Sequence, residues 1–156
     1  MSAPNLHPLV VHFPIALLVL AVTLDTLDTL IARPPWLVTA AGWLYAAGSA
    51  AAVLAYLTGQ QAVSAVVLRA EARVTAASHE NWAMAAAGWF TLLTAGRLMA
   101  GATAPRQPAL RRGLAAAGLL GLALLWQSSD LGGQLVYRHG VGVAPASAPR
   151  GTEPAR

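Results

Sequence analysis

Apolar residues along this chain come in long blocks separated by short polar or proline-bearing breaks, each close to the ~20 residues that carry a helix across a hydrocarbon core. The first block covers about residues 8–32 and ends at Ala32-Arg33-Pro34-Pro35, and the second covers about 36–58, with Gly42 and Gly48 inside it and Gly59 as its break. The third opens at Ser78-His79-Glu80 and covers about 78–100, while the fourth covers about 109–138 with Arg111-Arg112 near its start. In the fourth, the uninterrupted apolar run from Leu114 to Trp126 is too short to span. It reaches the needed length only by continuing through Gln127-Ser128-Ser129-Asp130 to Tyr137, so these polar groups are expected to face protein, because lipid offers them no hydrogen bonds.

Between the second and third blocks, Val63, Val66, Val67, Ala70 and Val74 recur at helical spacing, with Arg69, Glu71 and Arg73 off that stripe. This is the pattern of an interfacial helix or of an extension of the second helix. The expected fold class is all-α, an integral membrane four-helix bundle with an amphipathic connector between helices 2 and 3. That domain takes residues 1–143, and the Pro/Ala-rich tail 144–156 is expected to be disordered, since it cannot build a core.

Composition agrees with the blocks: 56% of the 156 residues are hydrophobic and only 10% are charged, far too little polar surface for a soluble domain. All ten basic residues are arginine, placed mostly between blocks or in the tail, so the basic balance reads as topology; no basic stripe with interleaved aromatics suggests nucleic acid as a partner. Cysteine is absent, which excludes disulfides, thiolate iron–sulfur ligation, covalent haem and a thiol nucleophile. The N-terminus has no Lys or Arg before its apolar stretch and is read as a retained first helix, not a secretory signal.

An even number of spans puts both termini on one side. Near the membrane, Arg33, Arg97, Arg106, Arg111 and Arg112 lie on the other, against Arg69, Arg73 and Arg138 on the terminal side before its tail, and the first helix has no positive charge before it and Arg33 directly after it, so the positive-inside rule places both termini outside the cytoplasm of a bacterial inner membrane.

On this topology all four histidines fall at one face: His7 and His12 at the start of helix 1, His79 at the start of helix 3, His139 at the end of helix 4. Neutral imidazole ligates metals and membrane b-type haem. His12, His79 and His139 are the main candidates, and His7 is a weaker one because its proline neighbour suggests a place outside the helix. Glu80 and Asp130 could join a metal site, and Arg69, Arg73 and Arg138 could neutralise haem propionates. The same histidines could equally be interfacial anchors at helix ends. Asp130 with Gly132 and Gly133 places an ionisable group inside the helix beside two residues that permit close approach of a backbone or flat cofactor. Pro14 would free the carbonyl of Val10 near His12 if the helix already starts at Pro8, though proline also simply suits a first turn. Asp25 and Asp28 read as solvated or paired interface acids near Arg33, Arg97 or Arg112, and Trp82 and Trp89 as a lipid-facing pair.

The strings LHPLVVHFPIALL, with His7, Pro8, His12 and Pro14, and SDLGGQLVYRHGVGV, with Asp130, Gly132, Gly133, Tyr137, His139 and Gly140, resemble the two ends of the bacterial membrane family known as domain of unknown function 2231. Thr58-Gly59 and His79-Glu80 extend the resemblance over most of the chain. It implies a four-helix membrane module whose members are in some cases fused to a Rieske-type iron–sulfur domain, and hence a link to electron transport.

The leading expectation is therefore an electron-transfer or binding module more than a stand-alone enzyme. It would hold a b-type haem in the extracytoplasmic leaflet through His12 and either His79 or His139, with Gly132 and Gly133 beside the haem. Asp130 and Tyr137 would serve a quinone, and the electrons would go to a Rieske-type or cytochrome partner. Two readings stay open beside it. One is a divalent metal site of zinc, copper or iron built from His12, His79, His139 and Glu80 or Asp130. The other is a structural subunit of a membrane complex or homo-oligomer, packed through small-residue faces.

Overall fold

The structure, a computed structural model, describes residues 6–31, 35–100 and 107–143. A short helix α1, His7–Val10, runs into α2, His12–Leu30; α3 is Pro35–Ser64, α4 is Ala70–Ala100 and α5 is Pro108–Tyr137. Helix α1 carries proline in its first turn, where the missing N–H costs nothing. The junction residue Val11 keeps helical angles of φ −60° and ψ −24°. Pro14 has no N–H to offer the Val10 carbonyl, so the hydrogen-bond ladder skips a rung while the rod continues. Together α1 and α2 make one crossing, and the chain is a four-helix bundle.

Three of the crossings, His7–Leu30, Trp36–Ser64 and Pro108–Tyr137, are long and apolar enough to span a membrane by themselves. The fourth, α4, is diluted by Glu71, Arg73, His79, Glu80 and Arg97 but matches its neighbours in length, and it packs against α3 on one side and α5 on the other. Around the bundle the order is α2, α3, α4, α5 and back to α2, with no close backbone approach between the diagonal pairs among the described residues. Each helix lies antiparallel to the next, so Leu6 and Val143 are at the same end.

At 1.5 Å per residue α3 and α4 are each about 45 Å long, well beyond a ~30 Å hydrocarbon core. The expected amphipathic connector is therefore absorbed: α3 continues past Gly59 to Ser64, α4 begins at Ala70, and the link between them is only residues 65–69. The expected tail, Arg33 and Arg106 lie outside the described residues.

Leu18, Ala21, Val22, Tyr45, Ala52, Ala87, Phe90 and Leu93 form the buried core. Between α3 and α4, the Ser49 hydroxyl donates to the Phe90 carbonyl (3.0 Å) and lies 2.8 Å from the Thr94 hydroxyl, so the polar atoms of the two helices satisfy one another. Glycine lets α5 approach: a Cβ at Gly121 would stand 2.6 Å from Phe90 Cζ and 2.9 Å from Trp89 Cδ1. Trp89 is half-buried and donates its indole N–H to the Ala117 carbonyl at 2.8 Å, so it faces α5 and not lipid. Gly121→Ala is expected to destabilise the bundle by about 1–3 kcal/mol through overpacking. Gly96→Ala, whose Cβ meets nothing within 4 Å, is expected to be neutral or slightly stabilising. Thermal unfolding of the two variants in detergent checks the contrast, and equal midpoints would show that the helices re-space freely.

Candidate functional site

Two polar layers bound the apolar slab. At the end away from the termini, Arg97 of α4 is ion-paired with Asp25 of α2, and Arg111 of α5 reaches Asp28 at 3.2 Å. Both aspartates are buried, so they are neither solvated nor left to Arg112, which is exposed. At the other end stand His7, His79 and Ser128. The helix rise puts the two layers about 26–31 Å apart, from Arg97 to His79, Arg111 to Ser128 and Asp28 to His7, close to the thickness of a hydrocarbon core. The histidine layer thus sits at a membrane boundary, and the start of α4 projects beyond it.

Within that layer His7 and His79 meet. Their ring centroids are 6.4 Å apart with planes at 74°. His7 Nδ1–H donates to the Ala55 carbonyl of α3 at 3.0 Å, with the Thr58 hydroxyl oxygen at 3.3 Å. Thr58 directs its own proton to backbone carbonyls of the preceding turn, which leaves its oxygen as an acceptor. His79 Nδ1–H donates to the Ser128 carbonyl of α5 at 2.8 Å. A carbonyl can only accept, so each ring is fixed as the Nδ1–H tautomer with its lone pair on Nε2. That backbone contact is the one metal-ligating histidines use to set ring orientation. Glycine makes room for both rings: a Cβ at Gly59 would stand 3.0 Å from His7 Cε1, and one at Gly132 would stand 3.2 Å from His79 Cε1. A metal–nitrogen bond of about 2.0–2.1 Å puts two imidazoles sharing one ion about 5–6 Å apart centre to centre, the same order as the 6.4 Å between these rings.

The other expected site residues fall elsewhere. His12, five residues from His7, is on the exposed face of α2, and no side-chain hydrogen bond to it occurs among the described residues. His139 lies past the end of α5 in a turn with Gly140 at φ +64°, and its Nε2 is 3.1 Å from the Thr75 hydroxyl, one turn beyond His79 on α4. Asp130 is exposed, bonded by the Gln134 amide at 2.7 Å, so the inward polar group of α5 is Ser128 and not the acid. Tyr137 is 90% exposed. Gly133 is half-buried with Tyr137 as its nearest side-chain neighbour, whereas Gly132 touches the site. Glu80 turns away from the ring pair and takes a 2.6 Å hydrogen bond from Gln60. Among the described residues no group of three or more His, Cys, Asp or Glu could hold an ion, which is the geometry a three-histidine metal site would have needed.

No curated protein and no solved structure matches the chain. A sequence profile of a family described as "Predicted membrane protein (DUF2231)" matches residues 3–145. With nearly the whole bundle inside that match, from the His7 turn to the glycine turn after His139, the chain belongs to the DUF2231 family of predicted membrane proteins.

Proposed function

We propose that the chain is a membrane electron-transfer module that holds a b-type haem between His7 and His79. The observation that carries this reading is the ring pair itself: two imidazoles from different helices, 6.4 Å apart, each locked by a backbone carbonyl in the tautomer that presents Nε2. Ligand number favours haem over a bare ion. A porphyrin fills four positions around iron and asks the protein for two, whereas a zinc site draws three or four ligands from side chains. When bound, the group supplies one-electron redox chemistry.

This chain's residues do the rest. Ala55 and Ser128 orient the rings through their carbonyls, and Gly59 and Gly132 let the rings lie directly against α3 and α5. Arg69, Arg73 and Arg138 are exposed at the same end, where carboxylate groups of a haem would find counter-charges. The arginine bias toward the opposite end supports an inner-membrane orientation with the histidine layer and both termini outside the cytoplasm. An iron–sulfur or cytochrome acceptor on that side would then be the natural electron partner, and a membrane quinol the donor.

The test is an absorption spectrum of detergent-purified protein from cells supplied with haem, recorded oxidised and then reduced with dithionite. A Soret band and a sharp α band are expected, in about one-to-one proportion with the protein. A colourless, well-folded preparation would sink the proposal.

A further inference from the structure

A groove of about 310 Å³ opens on the outer surface between α3 and α4, lined by Val53, Tyr56, Met84, Gly88, Thr91 and Leu92, with Ala87 at its floor. Its lining is apolar apart from two hydroxyls, and Thr91 directs its own to the Ala87 carbonyl at 2.7 Å. The end nearest the histidine layer is different. The Gln60 amide donates both to the Tyr56 hydroxyl (2.8 Å) and to Glu80 (2.6 Å), so the three side chains form one polar cap. Tyr56 in turn donates its proton to Met84 Sδ at 3.9 Å. A thioether is a weak acceptor, so a good donor stands at the groove mouth on a contact that any ligand carbonyl improves upon.

We propose that this groove binds an isoprenoid quinone or quinol, with its headgroup at the Tyr56–Gln60–Glu80 cap and the start of its tail along Val53, Met84, Gly88 and Leu92. The inference rests on the electron-transfer reading above for its purpose, and moves the quinone contact away from Asp130 and Tyr137. Two features select this occupant over a phospholipid. The cap offers a hydroxyl donor and a carboxylate acceptor, which complement a quinone carbonyl and a quinol hydroxyl, whereas the Glu80 carboxylate repels a phosphate. The cap also sits at the level of the boundary layer, with Glu80 next to His79 in the chain, so the headgroup would lie at the same depth as the ring pair and the tail in the apolar slab.

The experiment titrates decyl-ubiquinone into the detergent-purified full-length protein by calorimetry and records the Soret absorbance of the same samples. Saturable binding is expected, weakened about tenfold by Tyr56→Phe and by Glu80→Leu, each of which removes one hydrogen-bonding group from the cap. Gly88→Leu puts a side chain into open space in the groove and is expected to weaken binding at least as much. Gly96→Leu, also in open space but outside the groove, is expected to leave it unchanged. The inference is overturned by no saturable binding to wild type, by equal binding to all four variants, or by dihexanoyl phosphatidylcholine displacing the quinone at similar concentration. Haem retained with quinone binding lost overturns this inference alone. Quinone binding with the expected variant pattern in colourless protein supports the groove and overturns the haem reading.

Discussion

His79→Ala protein, purified from haem-supplied cells, is expected to lose at least nine-tenths of the Soret absorbance of wild type, and His7→Ala is expected to do the same. Each substitution removes one of the two ligands proposed above, and loss even of a group that merely orients a ligand lowers metal affinity by about 10–100-fold. His12→Ala is expected to keep the full spectrum, because its ring is on the exposed face of α2. Gly132→Ala gives an intermediate result: its Cβ would stand 3.2 Å from His79 Cε1, so the ring must shift by a few tenths of an ångström without losing its bond to the Ser128 carbonyl. The reverse pattern, with His12→Ala colourless and His7→Ala normal, would show that the ring pair is only packing. All these variants leave the core and the distal ion pairs untouched, so unchanged gel-filtration profiles are expected throughout.

The inward His7 and the outward His12 show how far the sequence can be read and where it stops. Hydropathy alone finds the crossings, because uninterrupted apolar length is a direct consequence of the bilayer's thickness. It does not find their ends. Residues 60–64 and 70–77 are polar enough to look like an interfacial piece, yet they only continue α3 and α4 into water, where a helix needs no apolar face all round. The inward face is legible in the spacing of the buried positions. In α2 the buried positions include Pro14, Ala21 and Asp28, which step back by sevens to His7, while His12 steps forward to Val19 on the exposed side. In α4 the stripe Ala72, Ala76, Ala86, Phe90 and Leu93 includes the position of His79. In α5 the stripe Gly118, Gly121, Ser128 and Leu135 includes Gly132 and leaves Asp130 off it. Depth by itself put Asp130 in the right layer, but the choice between inside and outside depends on rotation about the helix axis. The adjoining proline argued against His7 only if proline ends a helix, and here it begins one. What no sequence pattern carries is the pairing of His7 with the Ala55 carbonyl and of His79 with the Ser128 carbonyl. Those bonds depend on which helices become neighbours.

Arg97→Ala is expected to lower stability by about 3–5 kcal/mol, the cost of leaving a buried carboxylate without its guanidinium. For a chain of this size that corresponds to about 6–20 °C in the thermal midpoint. Asp25 is 6% exposed and the Arg97 side chain 13%, so water does little to screen the pair, and the same guanidinium stacks 4.7 Å above the Tyr45 ring. The pair therefore ties α2, α3 and α4 at the end opposite the histidines. Asp25→Asn is expected to cost less, because it keeps a hydrogen-bonding side chain of the same shape while arginine, with its long stem, reaches toward the boundary. The double variant Asp25→Leu with Arg97→Leu is expected to recover much of the loss, since an apolar pair has no charge to desolvate. A midpoint for Arg97→Ala within about 2 °C of wild type would mean that water enters this layer and the pair behaves as an exposed one. The spectrum separates this effect from the site chemistry: about 27 Å of helix lies between Arg97 and His79, so below its unfolding temperature the Arg97→Ala protein should keep the wild-type Soret band.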